Sequence, residues 1–114
     1  MKMIIAIIRP EKIAAVQAAL SQKEVFLMTV SDVRGCGRQR GFTEQFHGSK
    51  GLIRLLSKVK VEIAVNDDFV QPTIDAIQEA AHSGNIGDGK IFVLPLEECQ
   101  RIRTGETGGV AIGP

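Results

Sequence analysis

The chain contains 114 residues, of which 44% are hydrophobic and only 4% aromatic, and it carries 14 basic and 13 acidic side chains. This length suits one compact domain, spanning 1–114, with an aliphatic core, and it is too short for two domains. The net charge of +1 provides no general attraction to nucleic acid or to an anionic membrane. Any electrostatic binding site must therefore be local.

The N-terminal apolar run and the two cysteines indicate a cytoplasmic protein. The run ends at Arg9-Pro10, too early for the hydrophobic region of a signal peptide, and no stretch reaches the roughly 20 apolar residues of a membrane span. Cys36 and Cys99 have neither metal-ligand spacing nor the pattern of a disulfide framework. We therefore expect reduced thiols in a protein that is not embedded in a membrane.

The first half of the chain predicts a strand, a helix and a second strand. The segment from Met3 to Ile8 is apolar on both alternating faces, as in a strand that is covered on both sides. Pro10 suits the first position of a helix, and the buried stripe of that helix follows at helical spacing, at Ile13, Val16 and Leu20. The next strand is predicted from Val25 to Val33.

The second half repeats this order. A strand with one apolar and one mixed face is predicted where polar and small residues alternate with Val59, Val61, Ile63 and Val65. Asn66-Asp67-Asp68 offers capping side chains for a helix, and Gly84 suits a left-handed cap at its end. The inner face of this helix is formed by Val70, Ile74, Ile77 and Ala81. The fourth strand is predicted from Ile91 to Leu96, again apolar on both faces.

Two strand–helix–strand units predict an α+β fold of the ferredoxin-like kind. In this double βαβ sandwich, a four-stranded antiparallel sheet carries two helices on one face. The other sheet face would be bare, although the first and fourth strands are apolar on both faces. We therefore expect the sheet to pack against further copies of the chain.

Three segments fall outside this plan and are the natural places for function: 37–56, 84–90 and 102–114. The segment from Gly84 to Lys90 resembles a P-loop, but Ile91 stands where Ser or Thr should hold magnesium, and the loop joins a helix to a strand in the reverse of the P-loop order. Its glycines still allow backbone N–H groups to face an anion, with Lys90 at the edge.

A pair of arginines follows this segment. In an extended chain Arg101 and Arg103 point to the same side, and guanidinium groups bind polyphosphates through paired hydrogen bonds. An ordinary helix-to-strand turn and a solvated tail remain the alternative interpretation of these two segments.

Five segments taken together resemble the PII signal-transduction family over nearly the whole chain. They are Thr29-Val30 with Val33-Arg34-Gly35, Gly37-Arg38-Gln39-Arg40-Gly41, Lys58-Val59-Lys60-Val61-Glu62-Ile63, Gly87-Asp88-Gly89-Lys90-Ile91-Phe92-Val93 and Arg101-Ile102-Arg103-Thr104-Gly105-Glu106. The resemblance implies a homotrimer with a nucleotide site for ATP or ADP in each cleft between subunits.

The resemblance also implies roles for individual residues. Phosphates would be cradled by Gly87, Asp88, Gly89 and Lys90, with Arg101 and Arg103 reaching in from the neighbouring chain and Arg38 at the terminal phosphates. The base and sugar would contact Ile7, Thr29, Glu62, Ile63 and Ala64, and the backbone of Gly35, Cys36 and Gly37 would pass close by. The effector 2-oxoglutarate would be held by Gln39, Arg40, Gly41, Lys58 and Gly87. Gln39 would also help to hold Mg²⁺ together with ATP, because Mg²⁺ favours octahedral oxygen coordination that includes substrate oxygens.

The segment 37–56 would be the loop through which the family binds protein partners, such as an enzyme, a transporter or a regulator. The chain has no tyrosine, which excludes the tyrosyl uridylylation seen in some relatives. His47 stands where relatives that plug ammonium channels have an arginine, which weakens that partner assignment.

Two other functions compete with this interpretation as a regulator. The first is a ferredoxin-like enzyme that hydrolyses nucleotides, but no nucleophile and base accompany the phosphate-binding segments, so we predict no enzymatic activity and no catalytic residue. The second is a nucleic-acid-binding module that uses the basic loop. That loop has only Phe42 and Phe46 for base stacking, so we expect no nucleic acid partner.

Overall fold

A computed structural model describes residues 1–36 and 55–113. The elements are β1 (Lys2–Ile8), a 3₁₀ turn (Pro10–Lys12), α1 (Ile13–Gln22), β2 (Thr29–Gly35), β3 (Leu56–Val65), a second 3₁₀ turn (Asp67–Phe69), α2 (Val70–Ala81), β4 (Lys90–Pro95) and a short α3 (Gly109–Ile112). The predicted order is confirmed, although β3 begins at Leu56, inside the predicted loop 37–56. In the two described ranges no helix has the length and apolarity to cross a bilayer.

The four strands form one antiparallel sheet in the order β2-β3-β1-β4. β1 lies in the centre, where Ile7 pairs with Lys60 of β3 on one side and with Lys90 of β4 on the other. β2 pairs with β3, and Gly35 lies opposite Leu56. This is the strand order of the double βαβ sandwich, so the predicted ferredoxin-like fold is confirmed.

The helices α1 and α2 cover the same face of the sheet. On that face Ile4, Ala6 and Ile8 of β1 are buried against Val16, Leu20 and Ile77 of the helices, and so are four residues of β3: Val59, Val61, Ile63 and Val65. Each large aliphatic side chain removed from water in this way contributes about 1.5–3 kcal/mol to folding. The alternating burial that the sequence predicts for Val59 to Val65 of β3 is therefore confirmed.

The opposite face of the sheet carries apolar side chains that the single chain leaves open. Phe92 and Leu94 of β4, which pair with Ile5 and Met3 of β1 on this face, are 47% and 44% exposed. A contiguous apolar face of this kind is typical of a surface that contacts another protein. Association with further copies of the chain remains a prediction.

The predicted strand from Val25 to Val33 begins too early, because Val25 belongs to the end of α1. Glu24 N–H donates to the carbonyl of Ser21, and Val25 N–H donates to the carbonyl of Leu20, which is the Schellman hydrogen-bond pattern. Val25 is buried against the same core as Leu20. The apolar signal at Val25 is therefore the hydrophobic contact of a helix cap, and β2 starts at Thr29.

Replacing Glu24 by glycine is expected to stabilise the protein. Glu24 adopts a φ of +62°, the left-handed conformation that a side chain disfavours, and it is exposed. Removing that strain should raise the free energy of unfolding by about 1 kcal/mol in urea titrations. The matched control is Glu79→Gly, at an exposed position inside α2, which should lower it by about 1 kcal/mol. Equal losses in the two variants would contradict the assignment of the cap.

The predicted capping role of Asn66 is wrong. Neither Asn66 nor its neighbours make a side-chain hydrogen bond to the start of the helix. The Asn66 amide instead donates to the carbonyls of Gly109 and Gly113, at 3.1 and 2.8 Å. Asp67 accepts from the N-terminal ammonium of Met1. The polar side chains after β3 therefore hold the two chain ends.

Candidate functional site

The loop between α2 and β4 is organised by one carboxylate. Asp88 accepts hydrogen bonds from the backbone N–H groups of Ser83 and Gly84, at 2.8 and 2.9 Å, from the Ser83 hydroxyl, and from Arg9 Nε at 3.1 Å. These donors hold the pKa of Asp88 well below its usual range, and the hydrogen bond from the Ser83 hydroxyl has the largest effect. Since its carboxylate is committed to the loop, only the backbone of Asp88 is left for an anionic ligand.

Gly84 has a positive φ of +90°, as the sequence indicates, but its predicted role as the helix cap is wrong. α2 ends at Ala81, and His82 is already extended. Gly84 lies beyond this point, where its N–H donates to Asp88. The glycine therefore closes the loop rather than the helix.

Two cations bind consecutive carbonyls of this loop. Arg9 Nη2 donates to the carbonyl of Ile86 at 2.9 Å, and Lys58 Nζ donates to the carbonyl of Gly87 at 2.7 Å. Burial, followed by the nearby charge of Arg9, lowers the pKa of Lys58. Sequence reasoning missed Arg9. The sequence feature that could have identified Arg9 is its position directly after a buried strand and before Pro10, where the backbone has little freedom.

A cleft of about 470 Å³ lies beside this loop, at one end of the sheet. Its walls come from the end of β1, the end of β2, the start of β3 and the loop before β4. Of the residues predicted to bind ligands, the cleft brings together Ile7, Gly35, Cys36, Lys58, Gly87, Gly89 and Lys90. Two of these are cations and three are glycines, and Leu56, Ile86 and Phe92 add an apolar part that the sequence did not predict. Such a cleft suits an anion with an attached apolar group.

Gly89 brings the loop backbone against the sheet. A Cβ at this position would lie 1.7 Å from the carbonyl oxygen of Ile7, and the φ of Gly89 is +102°. No side chain fits there, so the close approach depends on glycine. The loop therefore runs along the floor of the cleft with its backbone exposed to it.

The predicted base and sugar residues lie further along the sheet. Thr29 pairs with Glu62, two residues beyond the row in which Ile7 faces Lys60, and Ala64 lies two residues further still. These three residues do not line the cleft. The side chain of Ile63 is buried in the core on the opposite face. A contact of Ile63 with the base or sugar would therefore have to come from its backbone.

The predicted extended arrangement of Arg101 and Arg103 is also wrong. Arg101 begins a turn that is closed by the Gly105 N–H donating to its carbonyl at 2.8 Å. The Arg101 guanidinium binds Glu106 Oε1 at 2.8 Å and the carbonyls of Val110 and Ala111. Arg103 is exposed, and within 1–36 and 55–113 it has no ion-pair partner. The two guanidinium groups therefore have different surroundings in the single chain.

Several predicted ligand contacts lie outside the described residues. These are Gly37, Arg38, Gln39, Arg40 and Gly41, which include the predicted Mg²⁺ ligand and the backbone contacts to 2-oxoglutarate.

Comparisons with known proteins agree with the fold and with the sequence motifs. The family model described as "Nitrogen regulatory protein P-II" matches residues 1–106. The chain is 51% identical to Nitrogen regulatory protein P-II of Azospirillum brasilense over 112 residues, which is 98% of this chain and 100% of that protein. It is 52% identical to Nitrogen regulatory protein GlnK1 of Methanosarcina mazei over 114 residues, which is 98% of this chain and 97% of that protein.

A solved structure is similar as well. The crystal structure of Arabidopsis thaliana PII bound to citrate superposes with a TM-score of 0.78 at 43% identity, and the match covers 96% of this chain and 90% of that one. The strand order, the glycine-rich loop and these full-length matches lead to one conclusion. The chain belongs to the family of nitrogen regulatory P-II proteins.

Proposed function

We propose that this chain is a cytoplasmic, non-enzymatic regulator that binds ATP or ADP in the clefts between the subunits of a homotrimer. In this proposal 2-oxoglutarate binds together with Mg-ATP, and the segment 37–56 transmits the ligand state to partner proteins. The observation that carries the proposal is the cleft at the end of the sheet, where Lys58 and Lys90 meet the glycine loop.

The composition of the cleft favours a polyphosphate. Lys90 and Lys58 supply positive charge, while the backbone at Gly87 and Gly89 is open to close approach. Charge-assisted hydrogen bonds of this kind contribute about 1.5–3 kcal/mol each. No acidic side chain lines the cleft in the described residues, so the cleft offers no carboxylate to bind bare Mg²⁺. Mg²⁺ would instead arrive bound to the oxygens of ATP. Gln39 and the phosphate oxygens would then hold the ion.

Two features support a site that is shared between copies of the chain. The predicted base contacts at Thr29, Glu62 and Ala64 lie outside the cleft that holds Lys58 and Lys90, so the described residues of one chain do not surround a whole nucleotide. The exposed apolar side chains of β4 offer a surface on which a second copy can pack. Arg101 and Arg103 of a neighbouring chain would complete the phosphate contacts.

Lys58 supports the assignment of a dicarboxylate effector. Lys58 lines the cleft, and its ammonium donates to the carbonyl of Gly87, with no ion pair to an acid within 1–36 and 55–113. The Arabidopsis relative bound to citrate is a case in which this fold holds a carboxylate ligand. If 2-oxoglutarate shares Mg²⁺ with ATP, the binding of each ligand strengthens that of the other.

Calorimetry of 2-oxoglutarate binding tests this function. The wild-type protein is expected to bind 2-oxoglutarate in the presence of Mg-ATP and not in its absence. At saturating Mg-ATP, Lys58→Met should abolish this binding, because the distal carboxylate loses its counter-charge. Lys23→Met, which removes an exposed charge at the end of α1, is the control and should behave as wild type. Binding of 2-oxoglutarate without nucleotide would rule out the shared-magnesium site.

A further inference from the structure

We propose that Arg9 is a positioning residue for the phosphate-binding loop: it orients the backbone at Ile86 to Gly89 toward a polyphosphate without contacting the ligand itself. The inference rests on the proposed nucleotide site and adds a residue to it. Its basis is a set of contacts that join the end of β1, the end of α2 and the loop before β4.

The backbone of Arg9 is fixed by its neighbours on both sides. Ile8, directly before it, is a buried residue of the central strand. Pro10, directly after it, restricts the preceding residue to extended conformations, and Arg9 has a φ of −66° and a ψ of 141°. The guanidinium therefore starts from a rigid point on the sheet.

From this point Arg9 reaches two different groups of the loop. Its Nε donates to Asp88 Oδ1 at 3.1 Å, and its Nη2 donates to the carbonyl of Ile86 at 2.9 Å. The side chains of Arg9 and Asp88 are 17% and 23% exposed, so the ion pair is shielded from water. Asp88 in turn binds Ser83 and Gly84 at the end of α2. The loop is thus fixed at both ends and in its middle.

These contacts decide which way the peptide groups face. In a trans peptide the C=O and the following N–H point in opposite directions. Because Arg9 holds the carbonyl of Ile86 and Lys58 holds that of Gly87, the next N–H groups are turned away from both cations. In the described part of the chain the first of these, the N–H of Gly87, donates to no acceptor within hydrogen-bond distance. The N–H of Gly89 has no acceptor there either, but it follows the carbonyl of Asp88, which neither cation holds. Such groups are the donors that an anionic oxygen requires.

The geometry favours arginine at this position. A guanidinium presents several donors in a rigid plane and can hold the Asp88 carboxylate and the Ile86 carbonyl together. An ammonium on a flexible chain holds one of them well. Arg9→Lys should therefore keep the ion pair with Asp88 and lose much of the orientation of the loop.

Binding titrations with ATP and, separately, with adenosine test the proposal. Arg9→Gln is compared with Lys12→Gln, which removes an equal charge from the neighbouring 3₁₀ turn without touching the loop. Arg9→Gln is expected to weaken ATP binding by on the order of tenfold or more, because displaced donors fit the phosphates poorly. Adenosine, which has no phosphates, should bind to both variants as to wild type. Arg9→Lys should lie between wild type and Arg9→Gln for ATP.

The outcomes separate the possibilities. ATP affinity lost with adenosine affinity retained supports a positioning role, whereas equal loss of both ligands would mean that Arg9 only stabilises the fold. Unchanged ATP affinity in Arg9→Gln would also overturn the proposal. If Arg9→Gln does not fold, the same comparison is made with Arg9→Lys, which keeps the charge. Failure of the wild-type protein to bind ATP would instead refute the proposed function, which is a different result.

Discussion

Gly89→Ala is expected to be among the most damaging single substitutions in the chain. The added methyl group would lie 1.7 Å from the carbonyl oxygen of Ile7 and 2.8 Å from its carbon. Both atoms belong to the backbone of the central strand β1 and cannot rotate away. The positive φ of +102° adds its own strain. We expect the free energy of unfolding to fall by roughly 3–5 kcal/mol and ATP binding to be lost as the loop leaves the sheet.

Gly84→Ala is the matched control for this prediction. Gly84 lies in the same loop with a similar φ of +90°, but the nearest atom to an added Cβ is His82 Nε2 at 3.8 Å. This variant should lose only the roughly 1–2 kcal/mol that a left-handed alanine costs. Both variants are unfolded in urea at one protein concentration, because association makes apparent stability depend on concentration. If the free energy of unfolding falls equally in the two variants, the close approach of Gly89 to Ile7 does not contribute to stability.

Removing a predicted phosphate contact from either side of the shared site should weaken ATP binding strongly. Lys90→Gln removes an ammonium from the cleft, and Arg103→Gln removes an exposed guanidinium that would come from the neighbouring chain. Each change should weaken ATP about 10- to 100-fold in calorimetry, the equivalent of one charge-assisted contact. Arg103 is preferred to Arg101 for this test because Arg101 also holds the C-terminal turn.

The control for these variants is Lys23→Gln, an equal loss of charge at an exposed site directly after α1. It should leave ATP binding within twofold of wild type, since surface charges at a distance are screened by salt. If Lys90→Gln and Arg103→Gln behave like this control, the cations do not bind phosphate.

Those features of the fold that depend on local pattern could be predicted from the sequence. Alternation at Val59 to Val65 and helical spacing at Val16 and Leu20 report burial directly, and the structure places these residues in the core. The boundary of β2 could not be predicted in this way. Val25 is apolar because it caps α1, and a run of apolar residues does not distinguish a cap from a strand.

Polar residues were the harder part to predict. Asn66 has the composition of a helix cap, yet it binds the C-terminal segment 43 residues away, a partner that local sequence does not reveal. Asp88 and Arg9 meet across 79 positions for the same reason. Side-chain hydrogen bonds depend on which segments the fold brings together, so they follow from tertiary structure rather than from spacing.

The candidate site lies between these two cases. Glycine, lysine and arginine patterns pointed to the loop at 84–90, and the cleft contains its residues together with Lys58. The arrangement of Arg101 and Arg103 was wrong because a turn, closed by the Gly105 N–H on the Arg101 carbonyl, replaces the extended segment. Composition thus indicated which residues carry positive charge but not which way they face.

Mixing two variants that each bind ATP weakly tests the shared nucleotide site most directly. Lys90→Gln and Arg103→Gln proteins are unfolded, combined in equal amounts and refolded, and ATP sites are counted by calorimetry. If each nucleotide lies between Lys90 of one chain and Arg103 of the next in a cyclic trimer, random assembly restores about one site in four to wild-type affinity. A mixture that binds ATP no better than its two components would contradict a site built from two chains.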